Sequence, residues 1–192
     1  MNAVALRAQT EDAWVAQLDR LVEVFNRSFT GTCLIGGADE PMYQPTTGAR
    51  RQHHLYFRQD YFASALHEIS HWCIAGSARR QQLDFGYWYA PEGRSQREQA
   101  DFERVEVGPQ AMEWFFAKAC AYPFQVSVDN LDPISGELPD TLPFRRRVVA
   151  QALHWKRSGL PARAGRFYSA LAQEFKRDRS IQGLEFSLAE LS

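Results

Sequence analysis

Residues Ser64-Ala65-Leu66-His67-Glu68-Ile69-Ser70-His71-Trp72 read SALHEISHW, and their reading decides the rest. On a helix, positions four apart lie one turn apart on one face, so His67 and His71 project side by side. That spacing lets two imidazoles take adjacent positions on one metal ion. Glu68, one residue on, points toward the open side, where zinc peptidases use it as a general base. Ala63, Ala65, Leu66, Ile69, Trp72, Cys73 and Ile74 make the segment apolar almost all round, which predicts a buried helix. Imidazoles there are costly unless each nitrogen finds a partner. The competing reading is a pair of structural histidines, since HExxH arises by chance in roughly 1% of such chains. An apolar helix with a cap signal favours the metal.

Outward from this helix, Asp60 is a candidate N-cap for Tyr61 to Ala75, with Gly76 as the stop. His54 to Arg58 and Thr32 to Ile35 read as strands, and GGADEPMYQPTTGARR between them as a long polar loop. Upstream, Thr10 opens a helix carrying Trp14, Leu18, Leu21, Val22, Phe25 and Phe29 at helical spacing. Downstream, LDFGYWY (83–89) and FQVSV (124–128) read as extended. A helix from Glu98 to Val107 is expected to break at Gly108-Pro109 and restart from Gln110 to Ala121. Phe144 to Arg157 and Ala164 to Asp178 read as the final helices. With no repeat, linker or low-complexity stretch, this implies a single α+β domain over 1–192. A small mixed sheet would be packed by helices, with the HExxH helix in the core.

A catalytic site of this kind needs a third protein ligand. His154 belongs to a helix end, where a histidine is more often solvated. His53 and His54 flank a strand, and a surface role is expected of them. ADFERVEVGPQAMEW supplies the better candidates. Glu103 and Glu106 share a helical face, and Glu106, flanked by Val105 and Val107, has the more apolar setting. Glu106 is therefore the chosen third ligand and Glu103 the reserve. For either alone, a plain surface charge is an even alternative. Two His and a carboxylate suit a thermolysin-like zinc site and the facial triad of non-haem iron(II) oxygenases equally. A structural zinc closed by Cys73 is the weaker reading, because Cys73 diverges from His71 on the helix.

Longer blocks add a resemblance. YFASALHEISHWCIAGSARR, DFGYWYAPEGR, FERVEVGPQAMEWFFAKA and YPFQVSVDNL resemble the signature blocks of the bacterial elongation factor P hydroxylase family. The similarity extends from DEPMY through RRRVVAQAL to RFYSALAQEF. The resemblance implies hydroxylation of the β-lysylated lysine of elongation factor P by a 2-His-1-carboxylate centre on His67, His71 and Glu106. It implies Fe(II), with zinc or another divalent metal able to substitute, and dioxygen as co-substrate. It also implies an architecture similar to that of the rRNA-maturation metallo-endoribonucleases. Glu68 then handles a proton or supports the ligands. Gly108 departs from the lysine expected of relatives. The long cationic substrate arm calls for carboxylates and aromatic walls, for which Asp84, Tyr87, Trp88 and Tyr89 are candidates, with Glu92 and Arg94 beside them. For each aromatic, core packing is the plainer alternative. The rival function is a cytosolic zinc metallopeptidase with Glu68 as general base.

Composition narrows the partners. Lys plus Arg (22) nearly equal Asp plus Glu (23), so no global field argues for nucleic acid or a membrane surface. Arg145-Arg146-Arg147 is the one basic cluster, and on a helix its members point three ways. That leaves little for the ribonuclease reading that the architectural likeness suggests. Three scattered cysteines without a CxxC suit a reducing compartment, so a cytoplasmic protein is expected.

Overall fold

The computed structural model describes residues 3–46, 48, 51–85, 94–128 and 140–191. They form an α+β structure with five helices and a three-stranded mixed sheet. The chain divides into two compact units, 1–85 and 86–192.

The first unit holds helix α1 (Ala3–Ser28), strands β1 (Thr32–Ala38), β2 (Met42–Gln44) and β3 (His53–Arg58), and helix α2 (Phe62–Ile74). The sheet order is β1-β3-β2, with β1 parallel and β2 antiparallel to β3. Helix α1 begins at Ala3 rather than Thr10, because AVALRA is itself a run of good helix formers. Its Leu21, Val24 and Phe25 are buried, and Phe25 and Phe29 lie with ring centroids 5.2 and 4.7 Å from that of Trp72 on α2. Strand β2 falls inside the stretch expected to be loop. Three residues suffice there because Tyr43 sinks its ring into the core while its backbone pairs with Leu55 and, in an isolated bridge, with Asp84.

Asp60 does not cap α2. Tyr61 stands at that position with no side-chain cap. Asp60 leans on β1 instead, where a Cβ on Gly36 would meet Asp60 Oδ1 at 2.8 Å and Phe57 Cζ at 2.7 Å. Only glycine tolerates that approach.

The second unit holds α3 (Gln96–Cys120), α4 (Leu142–Ser158) and α5 (Ala162–Glu174). Helices α4 and α5 both pack on α3. The expected break at Gly108-Pro109 does not occur, and α3 runs through Pro109 as one helix of 25 residues. Pro109 deprives only the Val105 carbonyl of a donor, and Val105 is 48% exposed, so water can serve it. Gly108, lacking a Cβ, also removes the clash that proline imposes on the residue before it. Both ends of the helix are well made. Ser95 and Glu98 form a reciprocal capping box, and Ala121 closes the other end in the left-handed conformation. Beyond α3, residues 124–128, expected as a strand, join no sheet among the described residues.

Phe115, Phe116, Phe144, Phe167 and Tyr168 fill the core of this unit. Burial raises the Tyr168 phenol above its ordinary value, and its hydroxyl donates to the Asp178 carbonyl at 3.1 Å.

Candidate metal centre

On α2 every residue from Phe62 to Cys73 is buried except Ala63, Ser64, His67 and His71. The half-open stripe is thus the histidine stripe, as helical spacing dictates. The His67 and His71 Nε2 atoms lie 3.1 Å apart, with ring centroids 4.7 Å apart at 68°. Two neutral imidazoles reach that separation by sharing a proton or by sharing an ion. Ligands about 2.1 Å from one ion, at angles between square and tetrahedral, stand about 3.0–3.4 Å apart. The pair therefore fits adjacent positions on a divalent ion without moving. Glu68 is buried on the same helix, at 7% exposure.

Helix α3 carries a second polar feature. Gln99, Glu103, Glu106 and Gln110 recur at i, i+4, i+7 and i+11, so they form one stripe, and all four are buried. Glu103 has both oxygens engaged: Gln99 Nε2 donates to Oε1 at 3.2 Å, and Arg147 Nη2 donates to Oε2. Glu106 receives Gln110 Nε2 on Oε2 at 3.5 Å. The two glutamines also hold Ser127 and Val128 beyond α3. Gln99 Nε2 reaches the Val128 carbonyl at 3.4 Å. Gln110 grips Ser127 twice, donating to its carbonyl at 2.7 Å and accepting from its N–H at 3.0 Å. On α2 the two histidines each offer one nitrogen, and on α3 Glu106 offers a carboxylate oxygen, the ligand types that a metal ion takes. Two imidazoles and a carboxylate form a borderline-to-hard donor set that suits iron(II), zinc or manganese.

The other expected residues fall elsewhere. Asp84 pairs with Arg79 Nε, and its backbone bridges Tyr43. Tyr87, Trp88, Tyr89 and Glu92 lie outside the described residues. Arg94 is 1% exposed and held rather than solvated. Its guanidinium lies 4.0 Å from the Phe102 ring centroid, and it donates to Gln99 Oε1 at 3.0 Å and the Val128 carbonyl at 2.6 Å. His53 accepts from the Thr46 N–H, and His54 Nδ1 lies 3.0 Å from the Tyr56 hydroxyl. His154 is exposed near the end of α4. Sequence reasoning passed over Gln99, Gln110 and Arg147. The first two carried a signal, the polar recurrence at 99, 103, 106 and 110; Arg147 carried none.

The family model described as elongation factor P hydroxylase matches residues 22–186. The chain belongs to this family. It is also 40% identical over 175 residues to the elongation factor P lysine hydroxylase of Haemophilus influenzae, covering 90% of this chain and 97% of that protein. The family match runs across both compact units and takes in the whole of α2 and α3. No helix among the described residues is long and apolar enough to cross a membrane.

Proposed function

We propose that this protein hydroxylates the β-lysylated lysine of elongation factor P through an iron(II) centre held by His67, His71 and Glu106, with dioxygen as co-substrate. The observation that carries the reading is the 3.1 Å approach of two Nε2 atoms on a chain of the hydroxylase family. The name of the Haemophilus influenzae relative supports the substrate. Bound iron supplies the dioxygen chemistry that an unactivated carbon requires and that no amino-acid side chain provides.

The chain's own residues do the rest. His67 and His71 donate as neutral imidazoles from one helical face, and Glu106 adds an anionic oxygen. His67, His71 and Glu106 would hold the iron, which would supply the dioxygen chemistry. Glu68, buried on α2, takes or gives a proton or supports the ligands. Asp84, its charge shared with Arg79, and Tyr87 receive the cationic arm of the substrate. One functional domain spans 1–192, in support of which the family match continues through both units. A cytoplasmic setting follows from a translation factor as substrate; nucleic acid and membrane have no part in it. The zinc-peptidase reading, with Glu68 as base, rests on the HExxH spacing and the donor set alone.

The test is intact-mass spectrometry of β-lysylated elongation factor P after incubation with the protein, iron(II), a reductant and air. The expected result is a gain of one oxygen atom that requires iron and disappears in His67→Ala. Peptide cleavage with zinc, and no oxygen gain with iron, would replace the reading with the peptidase.

A further inference from the structure

Glu106 stands on a long side chain with three rotatable bonds, and nothing in helical geometry fixes where its carboxylate points. We infer that Gln110 is its positioning residue: the Gln110 amide donates to Oε2 and fixes the carboxylate's rotation. The inference rests on the proposed reading of Glu106 as a ligand.

The orientation of the Gln110 amide is dictated rather than assumed. Ser127 presents a backbone N–H and a backbone carbonyl to the same side chain, at 3.0 and 2.7 Å. An N–H can face only the amide oxygen, and a carbonyl only the amide nitrogen, so the flipped amide would oppose like with like. Nε2 therefore spends one hydrogen on Ser127, and its second is the group 3.5 Å from Glu106 Oε2. Gln110 is 1% exposed, so that hydrogen has no bulk water to turn to. A donor locked toward Glu106 opposes rotation of its carboxylate away from that donor. Gln99 does the equivalent for Glu103, but there Arg147 takes the second oxygen, so the arrangement closes into a structural pair.

Cobalt(II) titration of the full chain, followed by visible absorption, tests this. Wild type is expected to bind with a defined set of d–d bands. Gln110→Leu is expected to bind about 10–100-fold more weakly with altered bands, because the carboxylate can turn. Gln99→Leu removes another buried glutamine bonded to the same segment, and is expected to lose stability while keeping the wild-type bands and affinity. Gln110→Leu with wild-type bands and affinity overturns the inference. Should Gln110→Leu fail to fold, NMR of the wild-type protein labelled with 15N-glutamine decides. The Gln110 side-chain amide is expected to shift on zinc(II) loading, and an unmoved signal overturns the inference. Wild type that takes up no cobalt(II) removes the proposed centre itself, and the inference with it. A variant-only result bears on Gln110 alone.

Discussion

Helices α2 and α3 present their polar groups in opposite ways. On α2, spacing alone suffices, since an imidazole on two rotatable bonds is rigid and two of them at i and i+4 meet without help. On α3, each carboxylate sits on a flexible stem and is held by an amide, Gln99 for Glu103 and Gln110 for Glu106. Ordering such a stem costs on the order of 1 kcal/mol or more, which the added hydrogen bonds offset. The comparison teaches that a histidine ligand can be read from two positions, whereas a glutamate ligand needs its supporting residues to be read as well.

The largest expected effect breaks the α2 side. His67→Ala or His71→Ala should lower metal affinity by more than about a hundredfold and abolish hydroxylation, while the far-UV circular dichroism stays native. Metal retained at wild-type affinity by either variant would mean that the pair is structural. Next comes the contrast within α3. Glu106→Gln should cost about a hundredfold in affinity. Glu103→Gln should leave metal binding intact and lower stability by about 1 kcal/mol, because Arg147 is half exposed and the ion pair is worth little more. The reverse outcome in a parallel cobalt titration would make Glu103 the ligand.

Two smaller effects sharpen the picture of α3 as one continuous helix. Its capping box hangs on Ser95, and Ser95→Ala should lower the melting temperature by about 2–4 °C at neutral pH. The hydrogen bonds from Ser95 hold the Glu98 carboxyl below its ordinary value of 4.5. A depressed carboxyl adds stability above its unfolded-state value and loses it as pH falls through the folded-state value. The gap between wild type and variant should therefore narrow below pH 4.5, leaving the part due to the Ser95 cap on the Glu98 N–H, and thermal melts across that range check it. At the other end of α3, burial pushes the Cys120 thiol up to about 12. Iodoacetamide at pH 8 should thus label the partly exposed Cys33 long before Cys120, as peptide mapping would show.

Much of the first unit was legible because its signals are local. The apolar run around His67 and His71 named α2, and HLYFR named β3 almost to the residue. Strand β2 was not legible, since three residues among Gly and Pro pair only because Tyr43 finds the core. In the second unit, Gly108-Pro109 misled. Local chemistry predicts a break there, but the penalty reduces to one carbonyl beside the exposed Val105, and packing on both sides of it carries the helix through. FQVSV looked like a strand but joins no sheet. Its backbone partners are side chains of Gln110, Gln99 and Arg94, seventeen to thirty-four positions away, which no local pattern announces. At the candidate site the histidine pair was plain in the sequence, whereas the tie between Glu103 and Arg147, forty-four positions away, was not.

The central claim is that His67, His71 and Glu106 share one metal ion. Anomalous scattering from crystals of the full chain loaded with iron(II) without air tests it most directly. The account predicts a single strong peak bonded to both Nε2 atoms and one oxygen of Glu106, with Glu103 still paired to Arg147. A peak bonded to Glu103, or an anomalous map empty beside the histidines, would contradict it.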